Sequence, residues 1–515
     1  MSNFRRTAIT SVINLALLGI PDAQAADTEA LERRIRELES RLEKLDQAGA
    51  LSAKPASSVT SPEVEKLNRK VNTLERKLEV QDEVTTGAFK KLPIFDAGDN
   101  GFRITSSDKK HQVRIRGAVQ ADGRFFVEDD HNLNVDSFDL KQARIWLEGY
   151  VFKDIYYKIM PDFAASGNIL PDAYIDYAYV TPAQLLVGKF KPAISLERLQ
   201  GDSDGTFLER AFPTYLASNR DVGIQVHGAF ARPGGSGYTA ESVPGPIDTK
   251  NFFTYQLAVD NGSGDDGSPN NSGSATFDNK EFVGRVFLQP FMHTGYSWAE
   301  GLGIGIAGTV DDPSKQALKN QATPIGRTTY LNYANTYRNT AGAVFAAPTS
   351  DGDRHRIYPQ AYWYAGPFGL MTEYAVSSQH LTGTNRAGRP VTVKQDNKAW
   401  QVFASYVLTG EHNTFGMVKP IQNFNPLDGK WGAFQIAARW TEMAIDSSTF
   451  QVIDPSQAPN HATAWALGVN WYLNAYALIR ADYEQVSFDG GAGTINKVTN
   501  RPTEQVFATR FQLSF

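Results

Sequence analysis

Arg114, Arg116 and Arg124 fall at even steps along the stretch from Gln112 to Phe126. In an extended chain, residues two apart share a face. Ala118, Gln120 and Asp122 join the arginines on one side, and Val113, Ile115, Gly117, Val119, Ala121, Gly123 and Phe125 form the other. A guanidinium is always charged, is weakly hydrated, and offers paired N–H groups to two oxygens of one phosphate. A ladder of such groups raises anion occupancy and rejects cations, and several weak sites in series keep the ions moving. The chemistry indicated is anion binding, not catalysis. The eight histidines are scattered with no metal-spaced pair, cysteine is absent, and there is no G-x-S-x-G elbow or Walker-type loop. No catalytic, metal or cofactor site is expected. Asp122 on the arginine face, with Asp162, Asp172 and Asp176 elsewhere, supports a rival reading in which carboxylates cancel the arginines and leave a generic polar wall.

What must position these residues is a strand with one apolar and one polar side. From about residue 110 to the end, the hydrophobic period is two. Sixteen amphipathic segments are expected, near 112–126, 138–151, 154–163, 172–181, 183–191, 221–231, 252–261, 280–292, 301–311, 355–365, 367–377, 398–409, 431–443, 463–473, 475–488 and 503–515. An even number of strands closes into a barrel without free edges. Thr181-Pro182, Ala365-Gly366-Pro367 and Leu473-Asn474-Ala475 read as short periplasmic turns. Pro233–Lys250, Gly262–Asn279 and Asp312–Asp353 read as long outer loops. The last residues place Phe507, Phe511, Leu513 and Phe515 on one face, which looks like the terminal signature of outer-membrane barrels. Mean hydropathy is -0.36 and no apolar run reaches the ~18 residues of a membrane helix, as alternating strands require. The net charge of -5 over 515 residues argues against a nucleic-acid partner. The fold class expected is an all-β transmembrane barrel of about sixteen antiparallel strands in the outer membrane of a Gram-negative-type bacterium, its apolar face against lipid.

The first 110 residues follow other rules. Arg5 and Arg6, an apolar run from about Ala8 to Ile20, and Ala23-Gln24-Ala25 are the three parts of a secretory signal, so residues 1–25 are expected to be removed. Leu31, Ile35, Leu38, Leu42 and Leu45, then Val64, Leu67, Val71, Leu74 and Leu78, keep a heptad spacing. The region 26–91 is therefore expected to be an α-helical coiled-coil neck in the periplasm that associates with copies of itself, open to a contact with peptidoglycan. The Gly-, Pro- and Ser-containing stretch from Ala48 to Pro62 divides it as a linker. The barrel domain is then 92–515.

At the fifth segment the chain resembles a known family. Val187-Gly188-Lys189-Phe190-Lys191-Pro192 runs into Ile194-Ser195-Leu196-Glu197-Arg198-Leu199, followed by Phe207-Leu208-Glu209-Arg210-Ala211-Phe212-Pro213 and Asn219-Arg220-Asp221-Val222-Gly223-Ile224-Gln225-Val226-His227-Gly228. This is similar to the phosphate-selective porin O and P family, as are Val151-Phe152-Lys153-Asp154 and Asp172-Ala173-Tyr174-Ile175-Asp176-Tyr177. The resemblance implies a homotrimeric channel for small anions such as phosphate, with Lys191–Arg220 folded into the lumen as a constriction loop. Pore-lining anion-binding candidates are then Arg114, Arg116, Arg124, Lys189, Lys191, Arg198, Arg210 and Arg220. Arg198 and Arg210 lie beside Glu197 and Glu209, and those pairs read equally well as salt bridges holding the loop. The alternatives are a weakly selective general porin and a structural or adhesin barrel.

Overall fold

The computed structural model describes residues 91–98, 101–127, 134–165, 167, 169–233, 245, 250–268 and 280–515, and before residue 91 only positions 33, 37, 40, 44, 65–66, 69–77 and 79–80. Residues 1–93 and 94–515 are separate units. In the first, residues 69–77 are helical and include Val71 and Leu74 of the heptad pattern. Arg69 Nη2 meets Glu65 Oε1 at 2.6 Å one turn away. The signal segment, the Ala48–Pro62 linker and the other heptad positions lie outside the described residues.

The second unit is a closed barrel of sixteen antiparallel strands. They are β1 (Gln112–Phe126), β2 (Ser137–Val151), β3 (Ile155–Met160), β4 (Asp172–Val180), β5 (Ala183–Phe190), β6 (Asp221–Phe230), β7 (Phe253–Asp260) and β8 (Glu281–Leu288). There follow β9 (Leu302–Asp311), β10 (Arg354–Ala365), β11 (Phe368–Thr384), β12 (Pro390–Val407), β13 (Ala433–Ala444), β14 (Pro459–Tyr472), β15 (Ala477–Thr494) and β16 (Glu504–Ser514). Each pairs with the next, and β16 pairs with β1 from Val506↔Phe126 to Ser514↔Ala118. The seam is finished by Phe515, whose N–H donates to Gly117 O at 2.9 Å and whose carbonyl accepts from Gly117 N at 2.8 Å. Gly117 leaves room for the Phe515 ring, which a Cβ there would push aside. A hairpin of Ile94–Gly98 and Gly101–Thr105 precedes the barrel and pairs with the start of β1.

The alternation sets which residues see lipid. Leu257, Val259, Phe282, Val286, Ile304 and Ile306 are exposed on the outer face. Between them, Gln256, Arg285, Gln360, Glu373, Gln401, Arg439, Arg480 and Arg510 point inward and are buried. Aromatic rings gather near the short turns, where Trp363 Nε1 donates to Trp298 O and Trp471 Nε1 to Trp431 O, each at 2.6 Å. Tryptophan of this kind, apolar in body and polar at one edge, suits the membrane–water interface.

Strand existence follows the sequence pattern; the ends do not always. β11 and β12 run past the expected 377 and 398 and meet at a tight turn over 385–389, where Asn385 N bonds Arg389 O. Beyond the apolar belt the hairpin is held by polar pairs such as Thr382 with Thr392, so the alternation that marks a lipid-facing strand is missing there. A second correction concerns the loops. Because strands alternate in direction, β6 ends and β7 begins at the end that carries Thr181-Pro182, which corrects the expectation of an outer loop at Pro233–Lys250. A long connection over 408–432 shares that end.

Candidate anion-conducting site

The stretch Lys191–Arg220, between β5 and β6, folds inside the barrel. Ile194, Leu196, Leu199, Phe207, Leu208, Phe212 and Leu216 supply its buried apolar core. A short helix, Leu196–Leu199, begins at Ser195, whose side chain accepts from Arg198 N. Leu196 N and Ser195 Oγ donate to Glu373 of β11 at 2.9 and 3.1 Å. Further along, Leu208 N donates to Asp482 at 2.6 Å, Asn470 Nδ2 to Thr206 O at 2.9 Å, and Arg480 Nη1 to Phe207 O at 2.9 Å. Gln512 Nε2 and Gln120 Nε2 reach Ser203 O and Asp202 O at 3.0 and 3.3 Å. The inward polar residues of β11 and β14–β16 are thus consumed in fixing this loop. The 408–432 connection meets it from the short-turn end, where Gln200 Nε2 of the loop donates to the backbone O of Phe415.

Between the loop and β2 remains a cavity of about 330 Å³. Lys141, Arg144, Arg198, Arg210, Arg220 and Arg327 line it, against the carboxylates of Asp202, Glu209 and Asp266. Lys141 points inward because β2 bulges there. Gln142 faces Gln120 while Leu140 faces Ala121, leaving Lys141 as the extra residue.

Of the sequence candidates, Arg198, Arg210 and Arg220 come together at this cavity. Each is held by an acid. Arg198 Nη2 meets Asp266 at 2.7 Å, Arg220 Nε meets Asp172 at 2.8 Å, and Arg210 pairs with Asp202. Lys191 is buried below, donating to Arg198 O at 2.8 Å and Gln200 O at 3.0 Å. Burial pushes its ammonium well down, opposed by Asp202. Burial would raise the Asp202 carboxyl, but Arg210, Arg144, Lys191 and Arg220 hold it well below the usual range. Lys189 is buried on β5 close by.

Arg114, Arg116 and Arg124 do share the inner face of β1, but they split into two groups. Arg114 and Arg116 are half-buried and both approach Glu148 Oε1, at 3.4 and 3.3 Å. Arg116 also lies over the Trp146 ring at 5.4 Å. Arg124 is buried and fully engaged. It donates to Asp139 at 2.6 Å, Glu209 at 2.9 Å, Asp122 at 3.0 Å and Ile325 O at 3.0 Å. It is a structural strut, not an open anion contact. Of the acids noted in the sequence, Asp122, Asp162 and Asp172 each bind a guanidinium, while Asp176 binds His227. Sequence reasoning missed Lys141, Arg144 and Arg327 as cavity residues. Among the described residues, no group of three or more His, Cys, Asp or Glu is placed to hold a metal ion.

A closed sixteen-stranded barrel, lipophilic outside and polar inside, with a loop narrowing its lumen, is a porin of the outer membrane. The chain belongs to the phosphate-selective porin O and P family, whose model matches residues 113–515. It is similar to Porin O of Pseudomonas aeruginosa, 25% identical over 447 residues, covering 81% of this chain and 91% of that protein. Among solved structures, it is similar to the outer membrane channel DcaP of Acinetobacter baumannii, with 10% identity and a TM-score of 0.44, covering 79% of this chain and 97% of that one. It is also similar to an anion-selective porin from Comamonas acidovorans, with 10% identity and a TM-score of 0.42, covering 78% and 99%.

Proposed function

We propose that this porin passes small anions by passive diffusion, with phosphate or phosphorylated compounds as its cargo. The observation that carries this reading is the charge lining the constriction cavity, where six cationic side chains and three carboxylates reach the surface, the Asp162 and Asp172 partners of Arg144 and Arg220 lying outside that lining. In a narrow lumen with low-dielectric walls, that local excess governs which ions enter, although the chain as a whole is acidic at -5. The protein acts as a homotrimer, with residues 26–91 as a self-associating neck in the periplasm after loss of residues 1–25. The heptad spacing of the neck supports this arrangement. The rival reading, a weakly selective general porin, draws support from the ion pairs, since most cavity cations already have an acid within 3.0 Å.

The test is chloride conductance through the purified protein in a planar bilayer, titrated with phosphate. A saturable fall at millimolar phosphate is expected, because an oxyanion that dwells at the constriction blocks chloride. Conductance that does not respond to phosphate would favour the general porin.

A further inference from the structure

We propose that Arg327 is the specificity-determining residue that receives oxyanions from the outer mouth and passes them to the constriction, holding two of their oxygens with its guanidinium. The inference rests on the anion-channel reading above and assigns its selectivity to one side chain.

Its position comes first. Arg327 lines the constriction cavity, and also a second cavity of about 380 Å³ bounded by Phe126, Asn134, Val135 and Ser137 at the outer ends of β1 and β2. It stands where the two meet. Next, the partners differ. Lys141, Arg144, Arg198 and Arg220 each meet a carboxylate at 2.7–2.8 Å, and Arg210 is paired with Asp202. Arg327 has Asp139 at 3.8 Å, beyond hydrogen-bond reach, and that carboxylate already takes Arg124 at 2.6 Å. The side chain of Arg327 is 46% exposed. Glu209 also feels its charge but is already bound by Lys141 and Arg124. Among the described residues, Arg327 is the one of the six cavity cations with no carboxylate in hydrogen-bond reach, and its side chain is the most exposed of them.

The backbone is built to hold it there. Arg327 has φ +58°, a left-handed conformation that few non-glycine residues keep without support. The support comes from the wall. Ile325 N donates to Glu484 at 2.7 Å, and Thr323 Oγ1 donates to Glu504 at 2.7 Å. Within the turn, Arg327 N reaches Thr323 O at 3.1 Å and Thr328 N reaches Thr323 Oγ1 at 3.0 Å. Gly326 is pressed so close to Glu504 that a Cβ would overlap its Oε1. Glu484 and Glu504 are thereby used to seat the turn and do not face Arg327 as counter-charges. A planar guanidinium engages two oxygens of a phosphate or carboxylate at once, which an ammonium does not and which chloride does not permit.

Full-length wild type, Arg327→Ala, Arg327→Gly and Arg327→Lys in planar bilayers test this, with the KCl reversal potential and phosphate inhibition of chloride current read for each. Glycine adopts the left-handed backbone freely, so Arg327→Gly carries the test if the alanine protein folds poorly. Both are expected to lose anion preference and to need about ten-fold more phosphate for half-inhibition, as loss of a charged hydrogen bond implies. Arg327→Lys is expected to keep the chloride preference but not the phosphate inhibition. If wild type is anion-preferring and phosphate-inhibited while Arg327→Gly matches it, the assignment to Arg327 is overturned and the anion channel stands. If Arg327→Lys is inhibited like wild type, the two-oxygen contact is overturned. If wild type itself shows neither preference nor inhibition, the anion-channel reading fails first and takes this one with it.

Discussion

Replacing Asp122 by alanine is expected to lower the stability of the folded barrel by about 3–5 kcal/mol, the range for stripping one partner from a buried ion pair. Asp122 accepts from Arg510 Nε at 2.7 Å and Nη2 at 2.8 Å, and from Arg124 Nη2 at 3.0 Å. The Asp122 side chain is wholly buried, and those of Arg510 and Arg124 are almost so. Arg124 and Arg510 share Glu209 with Lys141, and Arg124 also takes Asp139. Three cations thus face three carboxylates at the seam where β16 meets β1. Alanine leaves Arg510 and Arg124, both almost wholly buried, with an unmatched positive charge. Urea or heat unfolding in detergent, followed by the mobility shift of the folded barrel, measures the loss. A change below about 1 kcal/mol, the size of an exposed pair, would show that the cluster is solvated and does not hold the seam.

Acid should act on the same cluster through Glu209. Burial alone would raise this carboxyl, but Lys141, Arg510, Arg327 and Arg124 overcome it and hold it at about 2 against an ordinary 4.5. A carboxyl lowered by folding adds stability that is fully present above pH 4.5 and is lost as pH falls toward 2. The amount is on the order of 3 kcal/mol. The Glu209→Gln protein should therefore be less stable at neutral pH and should lack that portion of the acid loss below pH 4.5. Glu209 also lines the constriction, so removing its charge leaves six cations against Asp202 and Asp266. The variant should be more anion-selective than wild type even as its loop is held less firmly. A variant that loses stability without any shift in selectivity would place the carboxylate outside the ion path.

Much of this barrel is visible in the order of residues. The inner and outer faces of β1 follow from the alternation between Gln112 and Phe126, because a slip of one residue would turn the arginines toward lipid. The inward loop does not follow from periodicity. It was legible only through the family-like block from Val187 to Gly228, since nothing local in Lys191–Arg220 says that its partners are Glu373, Arg480 and Asp482, far along the chain. Charge type was readable, but charge balance was not. Arg124 and Arg116 look alike in sequence, yet one is locked among three carboxylates and the other is half-exposed beside Glu148. Lys141 was hidden because a bulge breaks the two-residue rule that assigns faces. Arg327 was hidden because it sits in a long connection whose inward course depends on Glu484 and Glu504 of the opposite wall.

The claim that charge placement at the constriction makes this an anion channel is met most directly by the reversal potential of the wild-type protein across a KCl gradient. A potential on the chloride side of zero, shrinking as total salt rises and screens the lumenal charges, is the expected result. A potential on the potassium side would contradict it, since the six cations around the cavity would then be outweighed by the carboxylates that bind them.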